Sequence, residues 1–423
     1  MESSVPAGPA HGQSPRGGPA EPAGASASPQ TKPAASLRPL ALYIHWPFCV
    51  TKCPYCDFNS HVRAHIDEDG WRAALLADLR HEAEATKGAR LTSIFFGGGT
   101  PSLMAPETVA AIIDAALRHW PSDPGLEITL EANPSSVEAA RFAGFRAAGI
   151  NRVSLGIQAL DDAALRLLGR PHDLAMGLAA LDCAQGLFPR VSFDLIHSRP
   201  GQTADAWEAE LTRALAFGTG HLSAYQLTIE PGTRFETLAR KGLLDLPGEE
   251  EAAEMFERTA ALCAAAGLAA YEISNHAKAG EESRHNLAYW TYADHAGVGP
   301  GAHGRRGGRA TFRHRRPEDW ATAVGREGHG IADEWAVPPA IAAREALLMG
   351  LRLAEGIDPG RFEARTGVPL DQAIDPAARA RLQALGLLHP GEALRLTAAG
   401  RGVLDAILAE LAAPLEPVAG NAT

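Results

Sequence analysis

Residues 41–56 read Ala-Leu-Tyr-Ile-His-Trp-Pro-Phe-Cys-Val-Thr-Lys-Cys-Pro-Tyr-Cys, an apolar run from Leu42 to Trp46 that breaks at a proline and leads into Cys49-x3-Cys53-x2-Cys56. Aromatic and β-branched residues favour an extended chain, so the run reads as a strand and the three thiols fall on the loop after its C-terminal end. The unit recurs at Ser93 to Gly98, Glu127 to Asn133, Arg152 to Gln158, Val191 to His197 and His221 to Leu227, each run followed by an Ala/Leu-rich helical stretch. Apolar strands alternating with helices imply a parallel sheet covered on both faces. Six such units in residues 41–240 fit an α/β fold built on a partial (β/α)6 barrel, since a full eight-fold barrel takes about 250 residues. A doubly wound sheet is the competing architecture.

A barrel demands that chemistry sit at the C-terminal strand ends and in the loops that follow. The polar residues obey that demand: Cys49 to Cys56 follow the first run, Gly97-Gly98-Gly99-Thr100 ends the second, Glu131 and Asn133 end the third, Gln158 ends the fourth and Asp194 lies in the fifth.

The rest of the chain divides by texture. Residues 1–38 hold 26 Ala, Pro, Ser and Gly and read as a disordered tail, with neither the apolar stretch of a secretory signal nor the Arg-rich pattern of a transit peptide. Residues 39–280 read as the barrel and 281–340 as a connecting segment. Residues 341–412 read as a small helical, winged-helix-like domain with a strand-like Ala393 to Leu396, and 413–423 as a second tail. Winged helices often bind DNA, but 8 Arg against 9 acidic residues in 341–412 favours a packing or lid module. The whole chain has 39 Lys+Arg and 50 Asp+Glu, a net charge of -11, which argues against a dedicated nucleic-acid binder. No run approaches the roughly 18 uncharged apolar residues of a membrane-spanning helix.

Five cysteines, three of them within eight residues, do not make a disulfide framework. They read as thiolates gathered for metal in a reducing compartment, with cytoplasm the natural place. Three thiolates can ligate three irons of a cubane and leave the fourth iron open to a ligand. Zinc is the alternative, with His45 or His61 as a fourth ligand. Cys183 and Cys263, each in a helical pattern, read as small core hydrophobes.

The cysteine spacing, preceded by Tyr43-Ile44-His45-Trp46-Pro47-Phe48 and followed by Gly97-Gly98-Gly99-Thr100-Pro101-Ser102, resembles the radical S-adenosylmethionine (SAM) superfamily over essentially residues 41–410. Within it, the match is to the branch of oxygen-independent coproporphyrinogen dehydrogenases and the related haem chaperones of the HemW group. The resemblance implies a 4Fe-4S cluster on Cys49, Cys53 and Cys56 whose open iron takes the amine and carboxylate of SAM, and an electron donor that allows cleavage to a 5'-deoxyadenosyl radical. It implies SAM contacts from Tyr43, Gly98, Gly99, Thr100, Glu131, Gln158, Arg170 and Asp194. Taken singly, Glu131 or Asp194 could cap a strand end, Arg170 could be a surface charge, and the glycines could form a tight turn.

Two features separate the branches. The dehydrogenases resembled carry another cysteine two residues after the third ligand, where this chain has Phe58. His285-Asn286-Leu287-Ala288-Tyr289-Trp290 matches the HNxxYW signature of the haem-chaperone group. A neutral imidazole can ligate haem iron and aromatic rings offer flat faces for a macrocycle, so His285, Asn286, Tyr289 and Trp290 are candidates for haem as cargo. The alternative is that His285 and Asn286 cap a loop while Tyr289 and Trp290 fill core. The favoured expectation is a chaperone delivering haem to acceptor haemoproteins. The rivals are oxidative decarboxylation of coproporphyrinogen III and a radical enzyme on an unrelated substrate, since a barrel does not fix its substrate.

The run Arg305, Arg306, Arg309, Arg313, Arg315 and Arg316 reads as a solvated basic face, with haem propionates or an acidic membrane surface as other partners for its guanidinium forks. A homodimer is left open. One stretch departs from the pattern resembled: where the group reads close to DLIYGLPGQT, this chain has Asp194-Leu195-Ile196-His197-Ser198-Arg199-Pro200-Gly201-Gln202-Thr203. The carboxylate is kept and the pocket beside it is put in doubt.

Overall fold

The computed structural model describes residues 37–412; the two tails drawn from composition lie outside the described residues, except that Arg38 already opens the first strand. Six strands, β1 (Arg38–Trp46), β2 (Ala89–Gly98), β3 (Ser122–Ala132), β4 (Arg152–Gln158), β5 (Arg190–His197) and β6 (His221–Gln226), lie side by side in chain order, every neighbouring pair parallel. No strand position is skipped or reversed, so the sheet is singly wound as a barrel wall requires, and the doubly wound alternative falls. Beyond β6 run two short antiparallel strands, β7 (Ala269–Ala270) and β8 (Asn275–Ala277). Beyond β1 come β9 (His295–Val298), parallel to it, and then antiparallel β10 (His303–Arg306), β11 (Arg309–Arg313) and β12 (Ile331–Ala336).

Helices follow the strands because polar residues stop the run and cap the next element. Asp161, Asp173 and Thr203 each accept a backbone N–H of the helix they open, Asp162–Leu167, Leu174–Leu187 and Ala204–Leu215, satisfying donors that would otherwise lack partners.

The strands are not apolar on both faces, and here the sequence reading needs amending. Leu42, Ile44 and Trp46 of β1, Ile128 and Leu130 of β3, Val153 and Leu155 of β4, and Phe193 and Leu195 of β5 join the core with the helices. The alternating positions on β3, β4 and β5, which period 2 turns to the other face, carry Glu127, Thr129 and Glu131, Arg152 and Ser154, and Ser192 and Asp194, all polar and nearly all buried. The barrel interior is therefore a polar column, buried over most of its length and half-buried at Glu131 and Asp194. Cys263 is fully buried, and Cys183 packs half-buried against the same core.

A second core gathers Ala343 to Leu411 around Leu347, Phe362, Leu382, Leu394 and Ile407. The strand-like Ala393 to Leu396 forms only isolated bridges, Ile357 to Leu394 and Leu388 to Leu396, rather than a hairpin.

The arginine run is not a solvated basic face. Arg313 is fully buried, with Nε 2.7 Å from Asp78 and Nη2 2.9 Å from Glu82. Arg306 Nε lies 2.6 Å from Glu82, and Arg305 pairs with Glu345 at 2.5 Å. Asp78 also accepts from the backbone of Gly299 and Gly330 and from the Trp320 indole. Asp78 and Glu82 stand four residues apart on the helix Glu68–Ala85, hence on one face, and clamp that helix to the β10–β11 extension. Arg309, paired with Glu334 at 2.7 Å, and Arg315 and Arg316 remain exposed.

Candidate functional site at the mouth of the barrel

The cysteine loop leaves β1 at Pro47, and its Phe48-Cys49 pairs with His61-Val62 in a two-residue ribbon. The Gly-rich end of β2 is fastened beneath it: Gly99 N donates to Trp46 O at 2.7 Å and Thr100 N to Phe48 O at 2.8 Å. The glycines are there for close approach. A Cβ on Gly99 would sit 2.7 Å from Phe48 O and 3.0 Å from Cys49 Sγ, while Gly98 has φ +115° and meets the His45 ring, a conformation that side chains disfavour.

A chain of hydrogen bonds links two of the thiols through three strand ends. Thr100 Oγ1 donates to Cys49 Sγ at 3.4 Å and accepts from Asn133 Nδ2 at 2.9 Å; Asn133 Oδ1 accepts from Arg170 Nη2, whose Nη1 lies 3.5 Å from Cys53 Sγ. Arg170 Nη2 also donates to Gly156 O at 2.8 Å. Asn133, noted in the sequence only as a polar strand end, is the centre of this chain. Gly156 faces Gln158 Nε2, Arg170 and Asn133, and a Cβ there would meet them at 3.0, 3.2 and 3.7 Å.

Two carboxylates lie deeper. Glu131 Oε2 accepts from Gly98 N at 3.3 Å and Asp194 Oδ1 from Ser154 Oγ at 3.3 Å. Burial, and then the charge of Asp194, push Glu131 up from its ordinary value to about 8; burial raises Asp194 as well, against hydrogen bonds from Ser223 and Ser154 and the charge of Arg152. Both groups are short of positive charge, which a cationic ligand would supply. Beside them Tyr43 OH donates to His45 Nδ1 at 3.0 Å, and His45 Nε2 donates to Asn59 O at 3.0 Å.

These observations bear on what the loop can hold. Burial raises the Cys49 and Cys56 thiols above their ordinary range, so ligation must expel protons. Among the described residues no three His, Cys, Asp or Glu side chains converge as a single metal ion requires. His45, one proposed fourth zinc ligand, has both nitrogens engaged, and His61 Nε2 bonds Asn59 Oδ1 at 3.3 Å. Three thiols spread along one loop suit a cluster, where each thiolate takes a different iron. The Gly99 cradle against Cys49 and the buried, unpartnered Nε of Arg170 fit a cluster with a bound ligand. Phe58, where the dehydrogenase pattern has a cysteine, is largely exposed on this loop.

The HNxxYW helix reaches the site from below, where the His285 ring stacks on Tyr43 with centroids 6.1 Å apart. Ser283 caps the helix Arg284–Trp290, and its first turn is bound to the lower end of β3, with Arg284 N and His285 N donating to Glu127 at 3.1 Å each. His285 is 2% exposed; its Nδ1 is 2.9 Å from Ser93 Oγ, its ring stacks on Phe95 with centroids 4.8 Å apart, and its Nε2 has no partner. Burial drives its pKa well below the ordinary value, so the imidazole is neutral. Tyr289, one turn on, contacts His285 and His295. Asn286 instead reaches Tyr271 OH at 3.3 Å, and Trp290 lies under the Arg352 guanidinium at 5.8 Å. The motif thus divides its contacts: His285 and Tyr289 pack together beneath β1 and β2, Asn286 reaches β6 through Tyr271, whose hydroxyl lies 3.0 Å from His221 Nε2, and Trp290 meets Arg352. None of the four caps a loop.

Comparison with known proteins bears on the family and the fold. The model of the Radical SAM superfamily matches residues 43–214, and that of the HemN C-terminal domain matches residues 337–403. The chain is 39% identical to radical S-adenosyl methionine domain-containing protein 1, mitochondrial, of Bos taurus over 93% of this chain and 92% of that protein. It is 36% identical to the haem chaperone HemW of Haemophilus influenzae over 88% of this chain and 97% of the relative, and 35% identical to HemW of Bacillus subtilis over 87% and 99%. The structure of coproporphyrinogen III oxidase HemN from Escherichia coli superposes with a TM-score of 0.74 at 23% identity, covering 88% of this chain and 89% of that one, a likeness of fold. With a relative matched almost end to end at more than a third identity, the chain belongs to the HemW family of the radical SAM superfamily.

Proposed function

We propose that the protein is a haem chaperone, which binds haem and passes it to acceptor haemoproteins, and that its barrel mouth holds a 4Fe-4S cluster and SAM. The observation that carries the cofactor reading is the hydrogen-bonded chain Cys49–Thr100–Asn133–Arg170–Cys53 beside the half-buried carboxylates Glu131 and Asp194. Kinship with HemW over nearly the whole chain supports the cargo.

In this reading Cys49, Cys53 and Cys56 hold the cluster, and cluster and SAM together supply one-electron chemistry at a sulfonium. The chain's own residues bind and orient. Gly98 and Gly99 admit the ligand close to the backbone, Arg170 offers a charge fork for its carboxylate, Tyr43, Thr100 and Gln158 line the mouth, and Glu131 and Asp194 receive positive charge or ribose hydroxyls. An electron donor is needed for any reductive step.

For haem, the reading assigns His285 as axial ligand, because its imidazole is neutral and Nε2 has no partner; at 2% exposed, it would meet the iron only after the helix Arg284–Trp290 moves from the barrel. Tyr289 sits against that ring, while Asn286 and Trp290 link the same helix to neighbouring parts of the fold. Arg306 and Arg313 are spent on buried carboxylate partners, so the candidates for propionate or membrane contact are the exposed Arg309, Arg315 and Arg316. Among the described residues no helix is long and apolar enough to cross a membrane, and we place the protein in the cytoplasm; the Bos taurus relative is named as mitochondrial.

The experiment is anaerobic incubation of reconstituted protein with haem and, separately, with coproporphyrinogen III. Saturable haem binding without decarboxylation is expected. Efficient conversion of propionates to vinyls overturns the reading in favour of a dehydrogenase.

A further inference from the structure

Arg199 is part of the stretch where this chain leaves the pattern of its branch, and its guanidinium is neither solvated nor free. It pairs with Glu210 of the helix Ala204–Leu215, the two side chains being 7% and 10% exposed. Glu210 collects donors from three places: Arg199 Nη1 at 3.1 Å together with Nη2, Gln202 Nε2 at 3.1 Å, and the backbone N–H of Leu160 at 2.6 Å. Arg199 Nη1 also stands 3.5 Å from Gln158 O. One buried ion pair therefore fastens the end of β5 to the first residues after β4.

The backbone at both fastened points is unusual. Gln158 has φ +72° and Ser198 φ +56°, two of only three non-glycine residues with positive φ among the described residues. Such conformations persist where surrounding contacts over-determine them, and the contacts flanking both residues include those of Arg199 and Glu210, beside His172 on the Ile157 carbonyl and His197 and Met255 on the Ser198 hydroxyl. Gln158 is the site residue this touches, with Nε2 beside Gly156 and Arg170.

The geometry points to Arg199, acting through Glu210, as a positioning residue that holds Gln158 and the turn after it in the conformation that contacts SAM. The inference rests on the SAM reading given above. Arg199 touches no ligand itself. Its charge is spent on both oxygens of Glu210, whose Oε1 also accepts the Leu160 amide and whose Oε2 also accepts Gln202 Nε2.

The test measures SAM affinity of anaerobically reconstituted protein by equilibrium dialysis, with the SAM-induced change in the reduced-cluster EPR spectrum as a spectroscopic readout. Arg199→Leu should keep its iron and sulfide, since the cysteines are on another loop, yet raise the SAM Kd about tenfold, a change of about 1.4 kcal/mol. Arg199→Lys, which keeps the charge but not the fork, should fall between. Arg199→Leu alone leaves a buried unpaired carboxylate and could act by unfolding, so the double variant Arg199→Leu/Glu210→Leu is decisive. It removes both charges and should recover thermal stability while SAM binding stays weak, because the Leu160 amide has lost its acceptor. A double variant that binds SAM within twofold of wild type with a normal EPR change overturns the inference. Wild type that binds no SAM overturns the reading beneath it instead.

Discussion

Arg170 Nη1 lies 3.5 Å from Cys53 Sγ, across 117 residues of sequence, and the same guanidinium holds Asn133 and the Gly156 carbonyl. The contact joins the loop after β1 to the segment after β4, so the cysteine loop is braced by the barrel as well as by its own turn from Cys56 N to Cys53 O.

Cys49→Ser, Cys53→Ser and Cys56→Ser should each abolish the cluster, because each thiolate is one iron's only protein ligand. Cys183→Ala and Cys263→Ala should retain about four irons and four sulfides per chain. Cys263→Ala should also cost about 1 kcal/mol of stability, since its sulfur is fully buried in the main core. Iron and sulfide assays after anaerobic reconstitution check this, and stoichiometric zinc in their place would refute it.

Glu131 makes the ligand-free protein sensitive to pH in a defined direction. Its pKa is about 8 in the folded state against an ordinary value near 4.5, so the folded chain keeps a proton that the unfolded chain releases. The favourable contribution is fully present below the ordinary value and is lost as pH rises through about 8. The melting temperature of the ligand-free protein should therefore fall between pH 5 and pH 8 by more than that of Glu131→Gln. A cationic ligand lowers the Glu131 pKa, so SAM binding near neutral pH should release protons, read as a buffer-dependent heat of binding that Glu131→Gln reduces.

The clamp between Asp78 and Arg313 gives a stability prediction away from the site. Asp78→Asn leaves Arg313 buried beside Glu82 with its main partner weakened, and should cost about 3 to 5 kcal/mol. Replacing Arg313 with Met alone should cost a similar amount, because Asp78 then loses its guanidinium. Urea titration of both variants checks the size; a loss under about 1 kcal/mol would show that the Gly299 and Gly330 N–H groups suffice for Asp78 when Arg313 is replaced, or that Glu82 suffices for Arg313 when Asp78 is.

The parts of this fold legible in sequence were those written in local pattern. Strand ends at Gly98 and Gln158 fell on the residues expected, because Gly and polar residues punctuate an apolar run. The polar column was not legible, since Thr129 or Ser192 among apolar neighbours looks the same whether it faces a core or a closed interior. Nor was the fate of Arg313, whose partner Asp78 stands 235 residues away. Charge runs read as solvated when their counter-ions are distant in sequence. Asn133 and Asn59 were passed over for a related reason: an amide becomes informative only when its several partners are known, and those of Asn59 include Pro300 and Arg315.

His285 offers a variant that separates cargo from architecture. His285→Ala should retain the cluster and weaken haem binding or shift the Soret band, because an axial imidazole sets the iron's ligand field. It should also lose about 1 to 3 kcal/mol from the vacated barrel floor, where Ser93 and Phe95 lose their contacts. Ser93→Ala breaks the Nδ1 contact and keeps the ring, so it should lose stability and still bind haem. Equal haem affinity in His285→Ala and wild type would leave the residue as floor alone.

The most direct measurement for the whole account is a haem titration of the anaerobically reconstituted, cluster-bearing protein followed through the Soret band, with products of a parallel coproporphyrinogen III incubation analysed beside it. The account predicts saturable binding near one haem per chain and no vinyl product. Absence of saturable binding, or efficient decarboxylation, would contradict it.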